Sequence, residues 1–484
     1  MINSYKLNIN KVLIRVTLFI TIILIIVGLT SCVSPRYSKR KIKKDTKFFY
    51  EKIAEIHPNI YAHYPKSEFS KDSLNLTNSL RQMNRLEYYR LLKPIMAKIK
   101  DGHTRLTLPI WIDVLNQRKK SLKWFPLNVV IHNDNAYVVN AGRNPNDIPI
   151  GSKIISINNI PINDIVSKML AFNESYTKSC FVNNIESDLG RYLWEYFGFT
   201  DAFKVKYEQP NSVVKEDTIV GQLPYLTAME SYYWSQKYNS SKSLMPKPII
   251  SDENSSFSYK IFNDNTYAYI NFFSCKRDNS NDSLLYTFFS ILNEKKIKNL
   301  IIDARYNYGG ATSVNEKLLQ YIGNKPYTSV SEAYVKTSLL LKKYYKDDKE
   351  FTPYIINEVK KYYDGKFTIS NSPLLFKGQV YVLAGTETFS SGANFVAVVK
   401  DCGLATVIGY ETGGLASGYG DYLKFTLPNS RLKLQVATKY LVRPSGNKQP
   451  SGVIPDIIVN KTLNDKLYNI DTVLEKTIQL IKCK

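Results

Sequence analysis

The sequence predicts an α/β domain that is preceded by a β-rich domain and by a helical N-terminal region. Apolar residues recur mostly three and four positions apart over residues 45–100, which is the period of a helix. Residues 121–225 carry short strand-like runs that are separated by turn-forming residues. From residue 257 onward, strand-like and helix-like runs alternate, which is typical of a mainly parallel α/β layer.

Length and composition indicate a folded protein of several domains. The chain has 484 residues, which is more than one hydrophobic core normally supports. With 44% hydrophobic and 22% charged residues it is not disordered. The formal net charge of +23 invites a nucleic-acid interpretation. However, acids are interspersed along the body, and neither zinc-finger spacing nor an aromatic–basic RNA motif is present, so no nucleic-acid partner is expected.

The first 31 residues are predicted to be a signal peptide. Lys6, Lys11 and Arg15 precede an apolar run at residues 16–29, which is short for a bilayer span and suited to export. The run ends in LTSC at residues 29–32, which resembles the lipobox of bacterial lipoproteins. This resemblance implies lipidation of Cys32 and removal of the preceding peptide. An ordinary signal anchor with an incidental cysteine is the alternative.

Residues 32–44 are predicted to be a basic tether after the lipidated cysteine. They contain six basic residues and no acid, so they are expected to lie against an anionic membrane surface or to form a solvated link. Val33 stands where an aspartate commonly causes retention in the inner membrane. The protein is therefore predicted to be an exported, membrane-anchored lipoprotein of a bacterial cell envelope, facing the periplasm or the cell surface, with the outer membrane favoured.

The remaining cysteines do not indicate a metal site. They have no CxxC spacing and no shared cluster with histidine, so neither a metal nor another cofactor is expected. An exported location permits disulfides, but spacing cannot pair these residues, which are Cys180, Cys275, Cys402 and Cys483.

The body is divided into four parts. Residues 45–120 form the helical region, which contains a DGHT turn at 101–104. Residues 121–225 contain GSKIISINN at 151–159, which is similar to the core of PDZ domains, with a generic small β-domain as the alternative. Residues 226–256 are polar and are predicted to be a linker, and residues 257–484 form the α/β domain. Within it, strands are predicted near 267–272, 299–303, 380–383 and 405–408, helices at 282–294 and 390–400, and a Tyr/Lys-rich insertion at 325–375.

Ser390 is the candidate nucleophile. It lies between a predicted strand and the helix that follows, where a hydroxyl is exposed at a sheet edge. The helix N-terminus favours negative charge beside it, and the amide of Ser391 could point toward an oxyanion. The alternative is that Ser390 only caps the helix.

Two glycines follow the predicted strand at 299–303. Gly309 and Gly310 would permit close approach of the backbone to a ligand, and their N–H groups could complete an oxyanion pocket. A plain strand-ending turn is the alternative.

His103 is the candidate general base. The chain has four histidines, and this one lies on a tight turn between a helix and an extended run. A lone surface histidine is the alternative.

Together these segments resemble the C-terminal-processing (tail-specific) serine peptidase family. Five motifs and a PDZ-like region appear in the family's order: DGHT at 101–104, the PDZ-like region, DARYNYGG at 303–310, the Ser390 turn, GYETGG at 409–414 and GVIPD at 452–456. The resemblance covers about residues 45–460. It implies an α/β catalytic domain of the crotonase/ClpP-like layered type and peptide or protein substrates.

By position, the resemblance assigns Ser390 as the nucleophile, Ser391 as the oxyanion amide after it, and Gly309 and Gly310 as the other oxyanion backbone. One branch of the family uses a Lys base, which GGLA at 413–416 lacks. The tricorn-like branch uses the DGHT histidine with a later Glu, so the resemblance assigns His103 as base. Gln449 stands near the position of that Glu and is a possible base-orienting residue.

The predicted function is therefore a lipid-anchored serine endopeptidase that cleaves exported or unfolded polypeptides. The alternative is a catalytically inactive peptide-binding lipoprotein on the same fold. Gln449 and the Ala393 that replaces a usual Glu in the nucleophile segment favour this alternative.

Overall fold

The architecture was obtained from a computed structural model of the chain. It describes residues 35–109, 122–140, 148–175, 177–223, 245–344, 359–362, 366–369 and 372–483. The predicted signal peptide at residues 1–31 and the predicted lipid attachment residue Cys32 lie outside these residues. Within the described part, no helix is both long and apolar enough to cross a membrane.

The helices are α1 (Lys39–Ile56), α2 (Lys66–Ser79), α3 (Arg85–Ile99), α4 (Ile162–Leu170), α5 (Lys178–Tyr192), α6 (Asn281–Glu294), α7 (Thr312–Ile322), α8 (Leu339–Tyr344), α9 (Ser391–Asp401), α10 (Leu463–Leu467) and α11 (Thr472–Lys482).

The strands are β1 (Arg105–Thr107), β2 (Asn128–His132), β3 (Asn135–Asn140), β4 (Lys153–Ile157), β5 (Ile160–Pro161), β6 (Ala202–Glu208), β7 (Val214–Val220), β8 (Ile250–Glu253), β9 (Phe257–Ile261), β10 (Ala268–Phe272), β11 (Asn299–Asp303), β12 (Tyr327–Thr328), β13 (Glu332–Lys336), β14 (Val359–Tyr362), β15 (Lys366–Phe367), β16 (Gln379–Ala384), β17 (Thr406–Gly409), β18 (Gly418–Thr426), β19 (Lys433–Val442) and β20 (Ile457–Ile458).

Capping residues in the sequence determine where helix α3 begins and ends. A capping box between Asn84 and Glu87 starts α3, and Lys100 in the left-handed conformation ends it directly before the DGHT turn. Helix α1 begins at Lys39, so the last residues of the predicted tether 32–44 are helical. Buried Asp45 on α1 accepts hydrogen bonds from the backbone N–H groups of Asn429 and Ser430. The helical region is therefore joined to the far end of the chain.

Residues 128–220 contribute a six-stranded sheet in the order β2-β3-β4-β6-β7, with β5 beside β4. All of its pairings are antiparallel. The turn between β2 and β3 uses Asn133 and Asp134 at positive φ, which these short polar residues tolerate. This sheet shares one hydrophobic core with the N-terminal helices. Its likeness to a PDZ domain stays a prediction.

The α/β domain is built on a seven-stranded sheet in the order β20-β17-β16-β11-β10-β9-β8. The strands from β20 to β10 run parallel to one another. Strand β9 runs antiparallel to β10, and β8 runs antiparallel to β9. One face packs against α6, α7 and α9, and the other face packs against α11. The predicted strands and helices of this domain are confirmed within a residue or two. Strand β8 lies inside 226–256, so part of the predicted linker belongs to the sheet.

A five-stranded sheet joins the DGHT turn to the α/β domain. Its order is β1-β19-β13-β14, with β18 on the other side of β19. Strand β1 begins immediately after the turn and pairs antiparallel with β19, so that Arg105 lies opposite Gln435. Strands β13 and β14 come from the predicted insertion at 325–375. This long-range pairing brings the turn to the catalytic domain.

Candidate active site

Ser390 lies at the strand–turn–helix junction that the sequence predicts. Strand β16 ends at Ala384 and α9 begins at Ser391, so Ser390 is the residue before the helix. Its backbone has φ 53° and ψ −126°, which is strained for a residue with a side chain and costs on the order of 1–3 kcal/mol. The side chain of Ser390 makes no capping hydrogen bond to the helix. The helix-cap interpretation of Ser390 is therefore wrong.

His103 is held by the turn between α3 and β1. Its backbone N–H donates to Oδ1 of Asp101 at 2.8 Å, and its carbonyl accepts from Nε2 of Gln435 at 2.8 Å. The turn closes through the N–H of Thr104, which donates to the Asp101 carbonyl. The backbone of His103 is therefore held at its N–H by the turn itself and at its carbonyl by β19.

The two candidate residues meet, although 287 positions separate them along the chain. Nε2 of His103 lies 3.0 Å from Oγ of Ser390, which is hydrogen-bond distance. The imidazole also stacks on the Phe389 ring, with centroids 4.8 Å apart and planes at 26°. The Arg105 guanidinium contacts the same ring, 5.2 Å from its centroid. Phe389, the residue before Ser390, therefore lies against one face of the His103 imidazole.

The surroundings of His103 favour its neutral form. Burial lowers the pKa of His103 below its usual value of 6.5, and the positive charge of Arg105 acts in the same direction. The carboxylates of Asp101 and Asp421 oppose this by attracting the imidazolium. A neutral imidazole at hydrogen-bond distance from a serine hydroxyl can accept its proton.

Backbone geometry corrects one of the predicted oxyanion donors. The N–H of Gly309 donates to Oδ1 of Asn307 at 2.8 Å, so it is already used. The N–H groups of Ser391 and Gly310 have no acceptor among the described residues. Ser391 and Gly310 thus remain candidate donors, whereas Gly309 has the different role of permitting close approach. A Cβ at position 309 would lie 2.7 Å from Cβ of Ser390.

Gln449 is not placed to orient His103. It lies on an exposed loop, where its backbone N–H donates to Oδ1 of Asn447. No hydrogen bond in the described part of the chain joins its side chain to the imidazole, so that prediction is corrected. Asp101 lies beside the imidazole instead, with Oδ1 4.0 Å from Nδ1. Sequence reasoning did not single out this neighbour, although Asp101 is the first residue of the DGHT motif.

Ala393 is fully buried in α9. A Cβ added at Gly414 would lie 3.0 Å from its Cβ, so the loop after the nucleophile helix passes directly over it. A Glu side chain at position 393 would need this loop to move. The departure from the family pattern is thus accommodated by local packing.

Two cavities meet at Ser390 and His103. The smaller has a volume of about 140 Å³, and its lining includes the apolar residues Val330, Leu415, Ala416 and Leu441. The larger has a volume of about 620 Å³, and its lining is polar and aromatic, including Arg105, Asn183, Tyr308 and Glu387. Both cavities also have polar residues in their linings, and the reacting pair lies where the two meet.

The described residues contain no group of three or more His, Cys, Asp or Glu side chains arranged to hold a metal. Cys180 lies at the larger cavity, and burial raises the pKa of its thiol. Cys275 is buried behind the Gly309–Gly310 loop and contacts the side-chain oxygens of Asn307 and Asn315. None of the described cysteines forms a disulfide.

Comparison with known proteins identifies the α/β domain. Residues 266–459 match the model of Peptidase family S41. This range includes Ser390, Gly309 and Gly310, and it excludes His103. No curated protein matches the chain by sequence.

Two solved structures of CPAF share the fold over most of the chain. Mature CPAF is 15% identical, with a TM-score of 0.62, over 92% of this chain and 98% of that one. Mature CPAF complexed with lactacystin is 15% identical, with a TM-score of 0.63, over 92% and 99%. The photosystem II D1 C-terminal processing protease is 11% identical, with a TM-score of 0.41, over 89% and 97%.

Proposed function

We propose that this chain is a lipid-anchored endopeptidase with Ser390 as nucleophile and His103 as general base. The premise is that it is a serine-type peptidase whose residues 266–459 match the model of Peptidase family S41. The observation that carries this proposal is the 3.0 Å separation of His103 Nε2 and Ser390 Oγ. The spacing suits direct proton transfer between the two groups.

In the proposed mechanism, His103 accepts the proton of Ser390 as Oγ attacks a peptide carbonyl carbon. The negative charge that develops on the carbonyl oxygen is stabilised by the free N–H groups of Ser391 and Gly310 and by the N-terminus of α9. His103 then donates its proton to the leaving amine, and water releases the acyl group from Ser390. No metal or other cofactor takes part in these steps.

The cleft supports cleavage within an extended polypeptide. The two cavities share His103 and Ser390 in their linings, so together they offer space for residues of an extended chain near the scissile bond. Exported or unfolded polypeptides are the proposed substrates, because an extended segment can pass through the cleft without first losing a folded core. We propose that the PDZ-like sheet at 128–220 grips such a segment.

The N-terminus supports attachment to a membrane. Cys32 is the proposed lipid attachment site, only seven residues before α1 begins at Lys39. The first turns of α1 expose five basic side chains, which are Lys39, Arg40, Lys41, Lys43 and Lys44. We propose that this basic surface lies on anionic lipid headgroups of the bacterial cell envelope, with the outer membrane favoured.

A fluorophosphonate probe tests the nucleophile. Intact-protein mass spectrometry should detect one adduct on the wild type and on Ser283→Ala, which changes an exposed helix hydroxyl, and none on Ser390→Ala. His103→Ala should label at least about 100-fold more slowly, since it lacks the base. Because mature CPAF has been solved complexed with lactacystin, that compound is a second probe and should block labelling. Equal labelling of wild type and Ser390→Ala would disprove the proposal.

Metabolic labelling tests the anchor. Cells that express the full chain and are fed an alkyne-tagged fatty acid should incorporate it into the wild type and not into Cys32→Ala. A Cys483→Ala chain, which loses an exposed C-terminal thiol, is the matched control and should still be labelled. Label on the Cys32→Ala chain would place the lipid elsewhere.

A further inference from the structure

His57, Asp101 and His103 form a chain of side-chain contacts that leads to Ser390. Nε2 of His57 lies 3.3 Å from Oδ2 of Asp101, and Oδ1 of the same carboxylate lies 4.0 Å from Nδ1 of His103. The side chains of His57 and Asp101 are only 0% and 2% exposed. His57 is contributed by the N-terminal region, directly after the last residue of α1. Neither Asp101 nor His57 has a role in the mechanism described above.

The hydrogen bonds of His57 define its tautomer. The backbone N–H of Asn59 donates to Nδ1 of His57 at 3.2 Å, so Nδ1 carries no proton. The proton of the neutral ring is consequently on Nε2, which points at Oδ2 of Asp101. His57 is thus arranged as a neutral hydrogen-bond donor to the carboxylate. It is not arranged as a second base.

The ring of His57 is also held by packing. It lies against the Tyr419 ring with centroids 4.4 Å apart, and the Tyr419 hydroxyl donates to the Asn59 carbonyl at 2.9 Å. Tyr419 belongs to β18, in the sheet that positions the DGHT turn. Tyr419 therefore holds the His57 ring by direct contact, and it also holds the backbone of Asn59, which contacts Nδ1 of that ring.

Asp101 is held as a carboxylate in a buried position. Burial by itself would raise the pKa of Asp101, but the hydrogen bonds from His57 and Thr104 hold that pKa below its usual value. Its Oδ1 accepts the His103 N–H, which ties the carboxylate to the backbone of the base. The negative charge thus stays at a fixed place beside His103.

We propose that Asp101 is the positioning residue that orients His103 and stabilises its imidazolium, and that His57 is a second positioning residue that holds Asp101 through Nε2–H. This inference rests on the proposed role of His103 as base. The contact of 4.0 Å between Oδ1 and Nδ1 stabilises charge without a direct hydrogen bond, and it can tighten when substrate binds. The N-terminal region thereby becomes part of the active site.

Other charged groups near His103 provide the comparison. Asp421 faces the imidazole from β18, but its side chain is 56% exposed and is paired with Lys439 at 2.8 Å. Arg105 faces it from β1 and repels the imidazolium. Thr104 and His57 are the further polar partners of Asp101. Asp421 is therefore the rival acid, and Asp421→Asn is the matched control for Asp101→Asn.

The first experiment measures the pH profile of kcat/KM for a peptide substrate with the full chain. Asp101→Asn should lower kcat by about 100-fold or more, because the base loses its charged partner. It should also move the acidic limb to lower pH, since loss of the negative charge makes His103 easier to deprotonate. Asp421→Asn should change kcat by less than about threefold, because its charge is screened by water. An equal or larger effect of Asp421→Asn would overturn the proposal.

A second pair of variants tests His57 and retains both carboxylates. His57→Phe keeps a ring against Tyr419 and removes the donor, whereas His57→Gln keeps an N–H near the position of Nε2. In His57→Phe the pKa of Asp101 should rise, so the acidic limb should move to higher pH, opposite to the shift in Asp101→Asn. His57→Gln should restore most of kcat. If both variants have the same profile, the hydrogen bond to Asp101 has no role and the proposal fails.

The third measurement does not need turnover. NMR of ¹³C-histidine in the Ser390→Ala chain reports the titration of His103, and Asp101→Asn in that background should lower its pKa. An unchanged His103 pKa overturns the inference even if the enzyme is active. Absence of hydrolysis and of fluorophosphonate labelling in the wild type would instead overturn the proposed function. A thermal melt of each variant separates these effects from loss of folding.

Discussion

Gly309 and Ser390 are in such close contact that only glycine fits at position 309. A Cβ there would lie 2.7 Å from Cβ of Ser390 and 2.9 Å from the backbone nitrogen of Ser391. Gly309 also has a φ of 93°, which residues with side chains rarely adopt. The loop after β11 thus packs directly against the turn that carries Ser390.

Gly309→Ala should therefore inactivate the enzyme. The added methyl group forces Ser390 or the loop to move, and a shift of that kind costs about 100-fold in rate. Fluorophosphonate labelling followed by mass spectrometry measures the loss. Gly446→Ala is the matched control, because Gly446 has a φ of 78° and no atom within 4 Å of an added Cβ. It should cost about 1–3 kcal/mol of stability from strain and leave labelling intact. Equal loss in both variants would contradict the role of contact.

The pH dependence should reflect the lowered pKa of His103. Because burial disfavours the imidazolium, the neutral base persists to pH values below 6.5. The acidic limb of activity should consequently be centred below pH 6.5. The acidic limb of kcat/KM, measured with a peptide substrate, reports this pKa in the free enzyme. A limb centred at or above 6.5 would mean that burial does not control the base.

Asp45 should be important for stability although it lies outside the active site. Its carboxylate accepts the backbone N–H groups of Asn429 at 2.9 Å and Ser430 at 2.7 Å, and it is fully buried. Asp45→Ala leaves these donors unpaired and should lower the free energy of unfolding by about 2–4 kcal/mol, as measured by urea denaturation. Glu51→Ala on the same helix removes an exposed pair with Lys47 and should cost at most about 0.5 kcal/mol. Similar losses in both variants would show that burial of Asp45 is not decisive.

Vesicle binding should depend on the basic surface of α1. Replacing Lys39, Arg40, Lys41, Lys43 and Lys44 by Gln in a Cys32→Ala chain should weaken binding to phosphatidylglycerol vesicles by at least tenfold, from about 1 kcal/mol per charge. Phosphatidylcholine vesicles should bind neither protein. An equal number of exposed lysines elsewhere provides the control, which should bind normally: Lys204, Lys206, Lys215, Lys296 and Lys298. Loss of binding in both sets would indicate a general charge effect.

Much of the catalytic domain was accessible from sequence because its signals are local. Alternating apolar runs and turn residues predicted β16 and α9, and Ser390 lies between them as expected. Strand β8 was missed because it is a short edge strand with mostly exposed side chains, and it resembles a polar linker in composition.

The site was predicted in part for the same reason. Ser390, His103 and Gly310 each lie on a recognisable turn, so their positions could be read from neighbouring residues. Gln449 was chosen by its place in a motif, and the structure leaves it on an exposed loop. The contact of His57 with Asp101 was missed, since it joins residues that lie 44 positions apart.

The amino-acid sequence alone determined the local arrangement: a serine between a strand and a helix, two glycines after a strand, and a histidine on a tight turn. These follow from steric limits and hydrogen bonds within a few residues. Tertiary structure decided which of these turns meet, which N–H groups stay free, and which carboxylate lies beside the base. Such choices depend on the pairing of β1 with β19 and on the packing of α1, and interactions between distant segments are not encoded in any short motif.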